Sequence, residues 1–249
     1  MSIDSNSLVR IVPEAVKPGD ITGQESLLLH QERYRFGARH ARPGRLLDIA
    51  CGVGYGTRLV VDECEASITA LGVDLSEEAI AYATEHYAQP GVTFRVGDAM
   101  HFQDPDGFDT IVSLETIEHL PQPENFIDSI VKLLRPGGCL VVSVPSTPST
   151  DVNPHHHYDF TEASFRRLFA DYPLTEVDQL KQVQPVELLS VIRRSEHRMR
   201  DVRPNLSSYY VRHPAAFLKR VGATIRYGFV NRYLTIAWQR RSQTENHTA

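Results

Sequence analysis

The sequence predicts an α/β fold around a parallel sheet, and two observations carry that reading. Apolar, β-rich runs alternate with helix-period segments from residue 45 to about 184. The first run also passes through a glycine-rich turn directly into a helix start. Strands are expected at 45–49, 68–73, 92–96, 110–113, 139–144 and 176–184, with helices at 55–62, 76–87, 125–134 and 162–170. Ser76 and Thr161 suit N-caps, because their hydroxyls can take a free backbone N–H of the first turn. Before the sheet, residues 24–41 read as a helix stopped by Pro43 and Gly44, placed to cover the ligand face. Beyond the sixth strand, residues 185–230 turn Arg-rich, and Pro204 and Pro214 divide them into helices. The aromatic, β-branched run 233–239 then returns as the last strand. The expected organisation is one domain over 1–249: a mobile 1–20, a core at 22–184, a basic helical insertion at 185–230, and a mobile tail at 242–249.

The chain has 249 residues, 41% hydrophobic and 23% charged, which argues against disorder, collagen, coiled coil and a disulfide scaffold. No stretch nears the ~18 unbroken apolar residues of a membrane span, and residues 1–20 lack a secretory apolar core. Cys51, Cys64 and Cys139 are an odd number without CxxC spacing, so they read as thiols of a reducing cytoplasm. The net charge of -5 conceals an asymmetry. Residues 1–192 carry 14 Lys+Arg against 28 Asp+Glu, whereas 193–241 carry 12 against 2. Such a basic block can meet an anionic membrane at the inner face, a nucleic acid or an anionic substrate, or pair with the acidic body.

The glycine-rich turn is the most informative stretch. Gly52, Gly54 and Gly56 follow the strand that ends Asp48-Ile49-Ala50-Cys51, at every second position. They let backbone approach a ligand at a helix N-terminus. A dinucleotide fingerprint would place its third glycine at 57, where Thr57 stands, so a pyrophosphate is disfavoured. Asp48 instead suits a ligand carrying an amino group, and Cys51 reads as a small packing residue.

With three further motifs, the chain resembles the class I S-adenosylmethionine-dependent methyltransferase family over roughly residues 22–184. The second motif is Gly72-Val73-Asp74-Leu75-Ser76, whose acid can accept both hydroxyls of a ribose. The third is Gly97-Asp98-Ala99, where the family's acid meets the adenine amino group. The fourth runs from Phe108-Asp109 through Glu115-Thr116-Ile117-Glu118-His119, followed by Leu134-Arg135-Pro136-Gly137-Gly138. The resemblance implies a Rossmann-like seven-stranded sheet, to which the residues themselves add the N-terminal helix and the helical insertion before the last strand. It also implies S-adenosyl-L-methionine held by Asp48, Ala50, Gly52, Gly54, Asp74, Leu75, Asp98, Ala99 and Glu115. Asp109 reads as a structural acid, and His119 stays open between packing on the cofactor and touching substrate.

The acceptor is less legible. No Asp-Pro-Pro-Tyr type motif follows the fourth strand and no Pro-Cys is present, which demotes methylation of nucleic-acid bases. A finer resemblance is to bacterial methyltransferases of cell-surface glycans, including those acting at O-antigen ends. They share His30…Arg33-Tyr34 before the first motif and Asn153-Pro154-x-His156 ending at Asp159-Phe160. The expected acceptor is therefore a small or lipid-linked molecule methylated on a hydroxyl of a sugar-like or phosphorylated metabolite. A small amine and RNA are the alternatives. His156 is the expected base, with Asp159 and Tyr34 as helpers and His119 as the next candidate. No metal is expected: on an extended segment only His155 and His157 converge, and nothing nearby completes a tetrahedral site. The insertion reads as a substrate cap whose Arg193, Arg194, Arg198, Arg200, Arg203, Arg212, Lys219 and Arg220 can hold phosphate or carboxylate or lie on an anionic membrane. Oligomeric state is not legible.

Overall fold

The computed structural model describes residues 10–185 and 202–242. Seven strands form one sheet: β1 (Gly44–Ile49), β2 (Ile68–Asp74), β3 (Val92–Val96), β4 (Phe108–Leu114), β5 (Leu134–Pro145), β6 (Leu174–Pro185) and β7 (Val230–Arg240). Their spatial order is 3-2-1-4-5-7-6, and only β7 runs against its neighbours. This is the Rossmann-like class I methyltransferase sheet expected from the motifs. The strand order reverses between β1 and β4, which opens a crevice at their carboxyl ends.

Because successive residues of a strand face opposite sides, each central strand feeds two cores. Leu46, Val112 and Val141 pack on one side with Tyr34 and Phe36 of α1 (Ile21–His40) and Val60 of α2 (Tyr55–Glu63). Leu47, Ile111 and Leu140 pack on the other with Phe126, Ile127 and Ile130 of α4 (Pro123–Leu133). Two more helices, α3 (Glu77–Tyr87) and α5 (Glu162–Arg167), complete the layers. Ser76 and Thr161 cap them as expected, accepting from the N–H groups of Ala79 and Ser164.

Several bounds move from those expected, for local reasons. The first helix starts at Ile21 rather than 24, because the Asp20 carboxylate accepts the Gly23 N–H at 2.8 Å. The fourth starts at Pro123, whose fixed φ suits a first helical position. It ends at Leu133, since residues 134–138 are already strand, joined through a register shift opposite Phe108 and Thr110. The helix expected over 162–170 stops at Arg167 and continues as turns. The last strand begins at Val230, three residues early, because it pairs with β6 along its whole length out to Pro185. Within the insertion, α6 (Leu206–Arg212) follows Pro204 and α7 (Pro214–Tyr227) begins at Pro214, and residues 186–201 of that segment, with Arg193, Arg194, Arg198 and Arg200, lie outside the described residues. No described helix is long and apolar enough to cross a membrane.

Candidate active site

Two cavities meet at the carboxyl rim of the sheet. The first, about 350 Å3, lies over the ends of β1 to β4 and is lined by Gly52, Asp74, Leu75, Asp98, Ala99 and Glu115, among others. At its floor the chain makes two left-handed turns without glycine, at Ala50 (φ 63°) and Glu115 (φ 50°). Such backbone is costly for these residues and concentrates at functional sites. Gly52 (φ 56°) lines the cavity, and a side chain added there would meet no protein atom within 4 Å, so the loop presents bare backbone. Asp74 accepts the N–H groups of Gly52 and Ser76, each at 2.9 Å, one on each carboxylate oxygen. Every oxygen keeps a lone pair for a further donor. Leu75 is 72% exposed and offers an apolar face at the rim. Asp98 holds the Met100 N–H and the His101 ring, and those bonds set its carboxyl below the usual range. This bare backbone, diol-accepting acid and apolar rim fit the adenosyl and methionine parts of S-adenosylmethionine.

Asp48 and Tyr34 stand differently from expectation. Asp48 is fully buried beneath the loop, where it accepts the Thr57 hydroxyl at 2.6 Å, and it does not line the cavity. Burial pushes its carboxyl up to about 7, against the hydrogen bonds of Thr57 and Tyr34. It fixes the first turn of α2 rather than reaching into the cavity toward an amino group. Tyr34 is 2% exposed, and burial and then Asp48 push its hydroxyl well above the usual range, so it keeps its proton. Its ring lies against Gly56, where a Cβ would come within 1.9 Å. That approach explains the third glycine at 56. Tyr34 thus borders the first cavity and not the second, away from His156.

The second cavity, about 190 Å3, shares Arg10, Ile11, His30, Glu115 and His119 with the first. Helix α1 supplies Ser26, Leu29, His30 and Arg33 to it, spaced three and four apart on one face. Arg33 is buried, donating to Gln182 at 2.8 Å, 3.6 Å from Glu115, and stacked over Tyr233. Its place on that face was the available sequence signal.

Across the cavity, the three histidines do not alternate along an extended strand. A turn at Asn153 accepts the His155 N–H on its side chain, and the His157 N–H donates to the Glu118 carbonyl. His156 is thereby turned inward onto His119, ring centroids 4.6 Å apart and perpendicular. One ligand atom each from Glu118, His119 and His156 lie within 4.8 Å of one another. The convergence expected of His155 and His157 is therefore not the one that forms. Burial, then His119, holds the His156 imidazole down to about 3, and burial lowers His119 as well, so both rings are neutral. Glu118 is fully buried, and burial, then Glu115, pushes its carboxyl well above the usual range.

Asp159 does not touch His156. It accepts the Ser149 and Thr150 N–H groups and the Thr150 hydroxyl, holding the loop whose Ser149 hydroxyl lies 2.7 Å from His156 Nδ1. It is a positioning residue. The described cations of the insertion are similarly engaged. Arg220 grips the buried Asp151 with two hydrogen bonds, 2.6 and 2.9 Å. Against the upward push of burial, Arg220 holds the Asp151 carboxyl below its usual range. Arg203 donates to the Thr150 and Asp151 carbonyls, Lys219 lies 3.6 Å from Asp159, and Arg212 bonds within its own helix. Arg220 and Lys219 thus pair with acids of the body, and with the Tyr210 hydroxyl on Asp151 they fasten α6 and α7 over the loop at 147–159.

Residues 47–142 match the family described as a methyltransferase domain. A probable S-adenosylmethionine-dependent methyltransferase of Mycolicibacterium smegmatis is 33% identical over 137 residues, 52% of this chain and 51% of that protein. A ubiquinone biosynthesis O-methyltransferase of Paraburkholderia phytofirmans is 28% identical over 66% of this chain and 68% of its own length. The chain thus spans about half the length of the first of these relatives. Among solved structures, a putative methyltransferase of Bacillus halodurans superposes with TM-score 0.63 at 15% identity, over 85% of this chain and 99% of its own. The N-methyltransferase NodS of Bradyrhizobium japonicum, in complex with S-adenosyl-L-homocysteine, gives 0.58 at 17% identity, over 90% of this chain and 89% of its own. Taken with the sheet order and the motifs at its rim, these matches make residues 47–142 similar to a methyltransferase domain, on a fold that the solved methyltransferases share.

Proposed function

We propose that the chain moves the methyl group of S-adenosylmethionine to a hydroxyl of a small or lipid-linked, sugar-like acceptor. The abutment of the two cavities along the Glu115 and His119 wall carries this reading, since it provides one compartment for the donor and another beside it for the acceptor. Asp74 holds the ribose, Leu75, Asp98 and Ala99 the adenine, and the backbone of Ala50 to Gly54 the amino-acid end. When bound, the cofactor supplies a methyl group already activated on a sulfonium, so the chain's task is alignment.

The second cavity offers hydroxyls and amides from Thr147, Asn153, Gln184, Asn231 and Tyr233, a lining suited to a polyhydroxylated molecule. The three guanidiniums that line it each lie by a carboxylate of the chain, Arg33 by Glu115, Arg220 by Asp151 and Arg10 4.0 Å from Asp74, which favours a sugar-like over a phosphorylated acceptor. Neutral His156 accepts the acceptor O–H and turns a lone pair of its oxygen toward the shared wall. Helix α7 brings Arg220 to this cavity while Phe217, Leu218 and Ile225 stay exposed, a surface that suits a lipid tail or an anionic membrane. Methylation of a small amine is the second reading, favoured by Glu115 at the wall, which can attract a cationic nitrogen.

Transfer of radiolabelled methyl across glycans, lipid-linked sugars, amines and RNA tests the proposal. Label is expected on a hydroxyl of a glycan or lipid-linked sugar. Label confined to amine nitrogen would favour the second reading. Label on RNA, with binding that falls steeply with salt, would overturn both.

A further inference from the structure

We propose that Glu118, His119 and His156 bind one divalent first-row transition-metal ion, and that this ion holds the acceptor hydroxyl. The role toward the acceptor rests on the function proposed above; the binding does not. Glu118 carries the argument, because both its carboxylate oxygens are buried and accept no hydrogen bond among the described residues, on a side chain that lines the acceptor cavity. A carboxylate so placed lacks the compensation that burial normally demands. A cation bound between the three groups would supply it.

The histidines are oriented as ligands of a metal are. His119 Nδ1 lies 3.1 Å from the His155 carbonyl, which can only accept, so Nδ1 carries the hydrogen and Nε2 the lone pair. His156 Nδ1 lies 2.7 Å from the Ser149 hydroxyl, which can accept its hydrogen and so leave the lone pair on Nε2. A ring held by its far nitrogen on a carbonyl or hydroxyl is the usual outer support of a metal-binding imidazole. The ligand atoms, within 4.8 Å of one another, would close by up to about 1.4 Å to reach the ~3.4 Å edge set by ~2.1 Å bonds in a tetrahedron. Two imidazoles and one carboxylate favour zinc, cobalt, iron or manganese over magnesium and leave positions open to the cavity.

An acceptor hydroxyl at an open position loses its proton more readily. The O–H bond breaks with the proton passing to solvent, the oxygen lone pair forms the O–CH3 bond, and the C–S bond breaks with its electrons remaining on sulfur. His156 then acts as a ligand, not as the base.

The test titrates the full chain, stripped with a chelator and dialysed, with Co2+ and reads its visible absorption, with zinc competition and metal content as second measures. One ion per chain is expected. His156→Ala and Glu118→Gln should each weaken Co2+ binding by more than about 10-fold, and Ser149→Ala by about 10-fold or more through loss of ring orientation. His157→Ala, whose contact here is a backbone one, should bind as wild type. Circular dichroism and S-adenosyl-L-homocysteine binding verify that each variant is folded. Failure of the folded wild type to bind Co2+ or Zn2+ at 1:1, or binding unchanged in both His156→Ala and Ser149→Ala, would overturn the site. Methyl transfer at full rate by the metal-free chain would overturn the ion's role while leaving the methyltransferase reading intact. Metal bound at these residues without any acceptor found would leave the site standing and count against the acceptor reading alone.

Discussion

Asp74 sets its two carboxylate oxygens on the backbone N–H groups of Gly52 and Ser76 and keeps a lone pair of each for the cofactor's ribose. Asp74→Ala should therefore weaken S-adenosyl-L-homocysteine binding by roughly 1–3 kcal/mol, read by calorimetry, since it removes charge-assisted hydrogen bonds. Asp48 acts on stability instead. Burial raises its carboxyl to about 7 from 3.8, so the folded chain holds a proton that the unfolded chain has released between those values. Stability then falls as pH rises through that window and levels off above about 7. Asp48→Asn, which retains an acceptor for Thr57, should lose this slope. Tm of the two proteins, compared from pH 5 to 8, should converge at the acidic end and diverge toward the other, wild type lower. Parallel curves would contradict the assignment.

Helix α2 is shaped by what lies against its first turn. Gly54 precedes it in left-handed backbone (φ 85°), and Gly56 lies under the ring of Tyr34. Gly56→Ala would drive a methyl group to 1.9 Å from that buried ring, an overpacking that costs about 1–3 kcal/mol. The loss should appear as a lower Tm and largely vanish in a Tyr34→Ala background, where the obstructing ring is gone. The reason for glycine at 56 was invisible in the sequence, because it depends on a residue 22 positions earlier in a different helix. The strands were legible because period-two patterning and burial report the same fact, as with Leu46 and Leu47 facing opposite cores. The boundaries at 134 and 230 were not, since each is decided by pairing to a distant strand. That Asp74, Asp98 and Ala99 come together at one cavity was legible from their motifs. The turn that brings His156 onto His119 was not, because it is built by the Asn153 side chain and the Glu118 carbonyl.

At the scale of the molecule, the basic insertion is tied to the acidic body by two ion pairs of α7. Asp151 and Asp159 hold Arg220 and Lys219, and through them α7 at the mouth of the acceptor cavity. The two cavities, donor and acceptor compartments in the proposed function, meet along a wall that includes Arg10, His30, Glu115 and His119. The most direct measurement of this division of labour is a crystal structure of the full chain with S-adenosyl-L-homocysteine. The predicted result is a ribose on Asp74, an adenine between Leu75 and Asp98, and a sulfur turned to the wall shared with the second cavity, which stays open to the acceptor. A ligand that fills the His156 cavity, or one whose sulfur points away from Glu115 and His119, would contradict it.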